Sequence, residues 1–186
     1  MRHPLHLLGT LTLSLVGLAA QASDFDSLLG VARGTWPESR HLAVVCNYEE
    51  GKEQIQALAE AAGSGSHITV VDARSPFHLP GARMILQDRR PDYLVLLPKG
   101  RAFRAGSPES TKLVRDMAYR GIPSVGTTPV AIQQGAVFAV GPDTGNEVLV
   151  TDRLRGTVSV LLPARGQFIG ARAQTGKAEV SVLTLP

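Results

Sequence analysis

The stretch Tyr93-Leu94-Val95-Leu96-Leu97 (Y-L-V-L-L), set between Pro91-Asp92 and Pro98-Lys99-Gly100, decides the fold. Five apolar residues bracketed by chain breakers are too few for a helix, and they lack the polar alternation of a half-wet strand. A strand covered on both faces reads this way, and such strands belong to parallel sheets sandwiched between helices. Three other runs share the character. They are His41 to Cys46 (H-L-A-V-V-C), Ile68 to Val71 (I-T-V-V, ending at Asp72) and Ile122 to Val125 (I-P-S-V).

The segments between these runs have helical spacing. After a polar turn over Asn47 to Glu50, a helix runs to about Ala62 with Ile55, Leu58, Ala59 and Ala62 as its apolar stripe and Gly63 as its stop. Gly63 to Ser66 is a short flexible connection. Leu79, Ala82, Ile85 and Leu86 mark a helix over Leu79 to Arg89, which Pro91 prevents from continuing. Ser107-Pro108-Glu109 supplies a hydroxyl cap, a proline at the first helical position and an acid in the first turn. Leu113, Val114, Met117 and Ala118 then face the core, Asp116 lies between Lys112 and Arg120 at i,i+4 spacing, and Gly121 ends the helix. Upstream, Phe25, Leu28, Leu29 and Ala32 predict a short helix over Ser23 to Arg33, stopped by Gly34 and followed by Trp36-Pro37, with Trp36 expected in the core.

Strand, helix, strand, helix, strand, helix, strand predicts an α/β fold: a Rossmann-like three-layer sandwich with a mostly parallel sheet and right-handed crossovers. Thr128 and Pro129 cap and open one more helical turn, Val130 to Gln134, which runs out at Gly135. The style then changes. Ala136 to Val140, Val148 to Thr151 and Thr157 to Leu162 are strand-like. Gln167 to Ala171 and Ala178 to Leu183 read as a hairpin around Gln174 to Lys177. The expected plan is a leader at 1–22, an α/β lobe at 23–145 and a β-rich C-terminal extension at 146–186 packed on the same domain.

The leader is read from Arg2, the apolar run Leu7 to Ala20 and the small residues of Ala20-Gln21-Ala22. This is the pattern of a secretory signal peptide cleaved after Ala22, and it predicts a secreted, periplasmic protein. Removing it leaves 164 of the 186 residues, enough for one domain with its own core. Cys46 is the one cysteine, so no internal disulfide is available. The formal charge of the whole chain is +3 and scattered, without the basic stripe of a nucleic-acid binder.

In an open parallel sheet, ligands bind beyond the carboxyl ends of the strands. The residues expected there are Asn47 and Tyr48 after the first strand, Asp72 and Arg74 after the second, Lys99 after the third, and Thr127 and Thr128 after the fourth. They form a candidate small-molecule rim, although loop ends are polar in any α/β domain because they face water. No catalytic constellation stands out. Cys46 lacks a nearby histidine: His41 and His67 begin strands at the opposite end, and only His78 is in reach. No metal-ligand spacing is present, and no cofactor is assigned. Asp143 and Asn146 read as turn residues, and Glu49, Glu50 and Glu53 as complements to a helix dipole. Arg101 and Arg104 read as part of a flexible, solvated connection from Gly100 to Gly106.

Three stretches carry a resemblance: R-P-D-Y-L-V-L-L-P, A-Y-R-G-I-P-S-V-G and Q-Q-G-A-V-F-A-V-G. Over about Leu42 to Gly145 the chain resembles the periplasmic substrate-binding proteins of ABC transporters, in the two-lobed family that includes binders of aromatic amino acids. The resemblance implies a non-catalytic protein that recognises a small molecule and meets an ABC permease or another membrane protein. Those proteins close a cleft between two lobes and are about twice as long. This chain has room for one lobe, so the expectation includes a homodimer that completes the cleft. A second resemblance, to periplasmic regulators that restrain membrane-bound diguanylate cyclases, rests on Trp36-Pro37 before the first strand, though those regulators carry cysteine pairs. It implies an adaptor that binds only protein.

Overall fold

Leu42, Val44 and Cys46 point to one side of the first strand and Ala43 and Val45 to the other, and all five are buried. That alternation builds the two cores. The structure, a computed structural model, describes residues 25–145, 147–151 and 176–185. The elements are α1 (25–35), β1 (His41–Cys46), α2 (Tyr48–Ala62), β2 (His67–Asp72), α3 (Leu79–Arg89), β3 (Tyr93–Leu96), α4 (Pro108–Ala118), β4 (Ser124–Gly126), α5 (Pro129–Gln134), β5 (Phe138–Ala139), β6 (Leu149–Val150) and β7 (Glu179–Thr184). Short 3-10 turns occupy Pro76–His78 and Pro142–Thr144.

The described strands form one sheet in the order β6-β5-β4-β3-β1-β2-β7. All pairs are parallel except β5–β6. Helices α1 and α2 cover one face, where they meet Leu42, Val44, Ile68, Val70 and Val95. Helices α3, α4 and α5 cover the other, against Ala43, Val45, Val71, Leu94 and Leu96. The result is the Rossmann-like α/β architecture expected. Its winding reverses between β1 and β3, the switch point of a doubly wound sheet.

Local chemistry explains the helix ends. Ser107 Oγ accepts from the Ser110 N–H at 3.1 Å, so the predicted cap is made. At the end of α4, Ile122 N–H donates to Met117 O and Gly121 N–H to Ala118 O. This closure puts Gly121 at φ 77°, which glycine adopts without a Cβ penalty. Gly135 closes α5 in the same way at φ 105°.

Several expectations need correction. Tyr48 to Glu50 are the first turn of α2, not a turn before it, because Asn47 caps the helix. Helix α1 runs through Gly34 to residue 35. The fourth strand starts at Ser124: the Ile122 N–H is spent on closing α4, and Pro123, which has no N–H, offers β3 only its carbonyl, to the Leu94 N–H. Ala118 is exposed, and Asp116 pairs across to Arg83 of α3, not along its own helix with Lys112 or Arg120. The connection from Gly100 to Gly106 is not a free loop. Ala102, Phe103 and Ala105 are buried in the core that α3, α4 and α5 cover, and Phe103 accepts φ 60° to get there. That backbone region is unusual for a residue with a side chain.

Trp36 packs on the core, with its ring centroid 5.5 Å from Tyr93 and 5.6 Å from Phe138. In the C-terminal part, β6 adds to one edge of the sheet and β7 to the other, where it pairs in parallel with β2. The leader at 1–22, the strand at 157–162, the 167–171 half of the hairpin, the 174–175 half of its turn and Asn146 lie outside the described residues. Among the described residues, no helix is long and apolar enough to cross a membrane.

Candidate functional site at the carboxyl edge

The loops after β1, β2, β3, β4 and β5 gather at one edge of the sheet because those strands are parallel. The predicted rim residues are all there, but they fall into two groups.

The first group sits beyond β1 and β2. Asp72 ends β2 and is 1% exposed. Its Oδ1 accepts from the Tyr48 N–H at 2.9 Å, and its Oδ2 accepts from Arg74 Nε and Nη2 at 3.0 and 2.9 Å. Burial pushes the Asp72 pKa up. The Arg74 hydrogen bonds, the Tyr48 N–H and the positive charges of Arg74 and His78 together outweigh it, so the carboxyl titrates below its usual range. Asn47 Oδ1 accepts from the Glu49 N–H at 3.1 Å and caps α2. The Tyr48 ring lies 5.5 Å from Lys52 Nζ, and Lys52 in turn pairs with Glu49 at 2.6 Å. These side chains lash the β1–α2 turn to the end of β2. Asp72 and Asn47 spend their side-chain oxygens on that task.

The second group is a cleft of about 180 Å³ on the β3–β4 side of the switch point. Lys99, Thr127 and Thr128 line it with Phe25, Gln54, Pro98, Pro142 and Asp143. Lys99 and Asp143 are exposed at its mouth. Thr127 is 3% exposed, and the hydroxyl oxygens of both Thr127 and Thr128 are buried without a hydrogen-bond partner. Thr128 occupies the cap position of α5, yet its side chain makes no capping bond. The turn at Pro142 presses on Thr127 because residue 141 is glycine: a Cβ there would collide with the Thr127 carbonyl oxygen.

Gln54 was missed by reading the sequence as stripes. It is 4% exposed on the inner side of α2. Its Oε1 accepts from the Lys99 N–H at 3.2 Å and its Nε2 donates to Lys99 O at 3.4 Å, so it fixes the loop that carries Lys99. The signal was available: Gln54 lies four residues before Leu58 on the buried stripe, where an amide needs a partner. Phe25 and Asp143 reach the cleft from α1 and the turn after β5, and no local pattern predicts that meeting.

The remaining chemistry is quiet. Cys46 is 4% exposed and in register with Asp72. Burial, with the negative charges of Asp72 and Glu50, pushes its thiol up to about 12, the opposite of nucleophile activation. His41 and His67 lie at the far edge of the sheet, their rings 5.0 Å apart, with His41 Nε2 2.8 Å from Thr69 Oγ1. Arg101 lies 3.5 Å from Glu50, which also accepts from the Arg101 backbone N–H. Among the described residues, no group of three or more His, Cys, Asp or Glu is placed to hold a metal ion.

The chain matches no family model and no curated protein sequence.

Proposed function

We propose that this chain is a non-catalytic, periplasmic binding protein that recognises a small polar molecule at the carboxyl edge of its sheet, in the manner of one lobe of an ABC-transporter substrate-binding protein. One observation carries the reading: Thr127 and Thr128, which line the cleft together with Lys99, each bury a hydroxyl without a partner. A buried polar group left unpaired costs roughly 1–3 kcal/mol. A ligand that bonds these hydroxyls relieves that cost, so the free energy of binding has a local source. Lys99 and Asp143 add charges of opposite sign at the mouth.

The size of the cleft sets the form of the proposal. At about 180 Å³ it is smaller than the roughly 300–1,000 Å³ typical of ligand pockets. It suits a molecule of a few heavy atoms, or one wall of a site that a second copy completes. The secretory pattern of the first 22 residues supports the location, and the membrane partner follows from the same reading.

Native mass spectrometry of residues 23–186 purified from the periplasm tests this. The expected result is a retained small mass, on a monomer or a dimer, that Lys99→Ala and Thr127→Val both lose. Bare protein in every preparation, or an adduct equally present in both variants, overturns the reading.

A further inference from the structure

The outer face of α3 and α4 carries a second surface. Helices α3 and α4 both run from the carboxyl edge toward the amino edge of the sheet, and a trough lies between them, from Pro80 in the first turn of α3 to the residues that end α4. One part is a hollow of about 470 Å³ lined by Arg83, Met84, Gln87, Asp116, Tyr119 and Arg120. It shares Gln87 and Arg120 with an adjoining hollow of about 630 Å³ that extends to Arg90, Asp92 and Ile122. Two large apolar side chains stand out of this trough with no cover: Met84 is 68% exposed and Tyr119 is 86% exposed.

The charges around it have one sign to spare. Arg83 is neutralised by Asp116 on the floor. Asp92 is exposed and negative, with its Oδ2 accepting from the backbone N–H groups of Arg40 and His41 at 2.8 Å each. Arg120 reaches the side chain of Gln87, a neutral partner. Arg90 and Arg115 have no ion-pair partner among the described residues, and both are exposed. Asp88 is the one exposed carboxylate on the last turn of α3. Arg89, Arg90, Arg115 and Arg120 outnumber Asp88 and Asp92 around the trough, so the net charge facing a visitor is positive, while Glu49, Glu50 and Glu60 belong to α2 on the other face.

Exposed methionine and tyrosine beside unpaired arginine is the composition of a protein-binding surface. Tyrosine and arginine dominate binding energy at interfaces, and methionine adapts to whatever packs on it. From this juxtaposition we propose that the α3–α4 trough docks an acidic amphipathic segment of a partner protein. An apolar side chain of that segment packs between Met84 and Tyr119, and its carboxylates meet Arg90 and Arg120. The charge complementarity selects the occupant: a basic segment would meet like charge, and a lipid surface would need a wider basic face. This surface is distinct from the carboxyl-edge cleft, so it stands whether or not that cleft binds a small molecule.

The test is a site-specific photo-crosslink in cells that make the protein. Tyr119 is replaced by benzoylphenylalanine, the adduct is isolated, and the crosslinked peptide is sequenced by mass spectrometry. The expected peptide belongs to another protein and carries at least three Asp or Glu within two helical turns of an apolar residue. The yield should fall at least fivefold in an Arg90→Asp, Arg120→Glu background. Aspartate is chosen at position 90 because Arg90 sits at φ 47°, which Asp tolerates better than most residues. Both sites are exposed, so the variants keep the fold, and an unchanged thermal transition checks this. A peptide without that acidic pattern, a lipid, a second copy of this chain, no adduct, or a yield indifferent to the two substitutions overturns the proposal.

Discussion

The backbone N–H of Tyr48 donates to Asp72 Oδ1 across 2.9 Å, so the first turn of the helix after β1 is tied to the last residue of β2. A carboxylate buried in that position serves two adjacent turns at once. Its other oxygen holds Arg74, whose side chain is more than half exposed.

Asp72→Asn should therefore cost stability, by about 1–3 kcal/mol at neutral pH, since a charged, hydrogen-bonded acceptor is replaced by a neutral one. The sign with pH follows from the lowered folded-state pKa of Asp72. Its contribution is present above the unfolded carboxylate value of about 3.9 and is lost as pH falls through the folded value. Urea melts of wild type and variant should differ at pH 7 and converge below about pH 4. A gap that does not narrow at all as pH falls below about 4 would refute the assignment.

His41 behaves in the opposite sense from a paired histidine. Burial lowers its pKa first, the charges of His67 and Arg89 add to that, and Asp92 opposes them. The folded state thus prefers neutral His41, and stability should decline as pH falls below about 6.5, where the unfolded chain takes up a proton. His41→Gln keeps a partner for Thr69 and should flatten the stability profile between pH 7 and 5. Thermal melts across that window, with His67→Gln as comparison, measure the effect.

Cys46 should be inert in the folded protein. A thiol held near 12 and buried carries on the order of a thousandfold less thiolate at pH 8 than a free one, before access is counted. Labelling with an aromatic disulfide should be at least that much slower in buffer than in 6 M guanidinium, with rates in urea tracking unfolding. Rapid labelling of native protein would contradict the packing of β1.

Thr127→Val separates cost from use. The hydroxyl of Thr127 is buried and unpartnered, so replacing it with a methyl group of the same shape should leave the unfolding free energy equal or higher, by up to about 1 kcal/mol. Loss of stability by more than 1 kcal/mol would show that the hydroxyl is bonded in the free protein. The same variant should lose any small molecule held in the cleft.

Much of this architecture was legible one segment at a time. The helix over Leu79 to Arg89 follows from four apolar positions and Pro91, and the α4 cap from Ser107-Pro108-Glu109, because capping and periodicity are satisfied within a few residues. Phe103 was not legible. Its burial depends on how the Gly100–Gly106 connection folds back onto α4 and α5, and a phenylalanine between two arginines carries no sign of that. The candidate site was half legible: the edge could be placed, but not which of its residues would spend their hydrogen bonds on each other.

The sequence by itself determined that β1, β2 and β3 are strands buried on both faces, that helices separate them, and hence that the sheet is parallel and its loops meet at one edge. Periodicity, caps and stop glycines encode these things locally. Only the tertiary structure decided that β7 pairs with β2 while β6 closes the far edge, that Asp72 is consumed by Tyr48 and Arg74, and that Lys99, Thr127 and Thr128 share a cleft with Phe25 and Gln54. Strand order and side-chain partnership join residues tens of positions apart. They are set by which surfaces can be buried together, and no short stretch of chain contains that information.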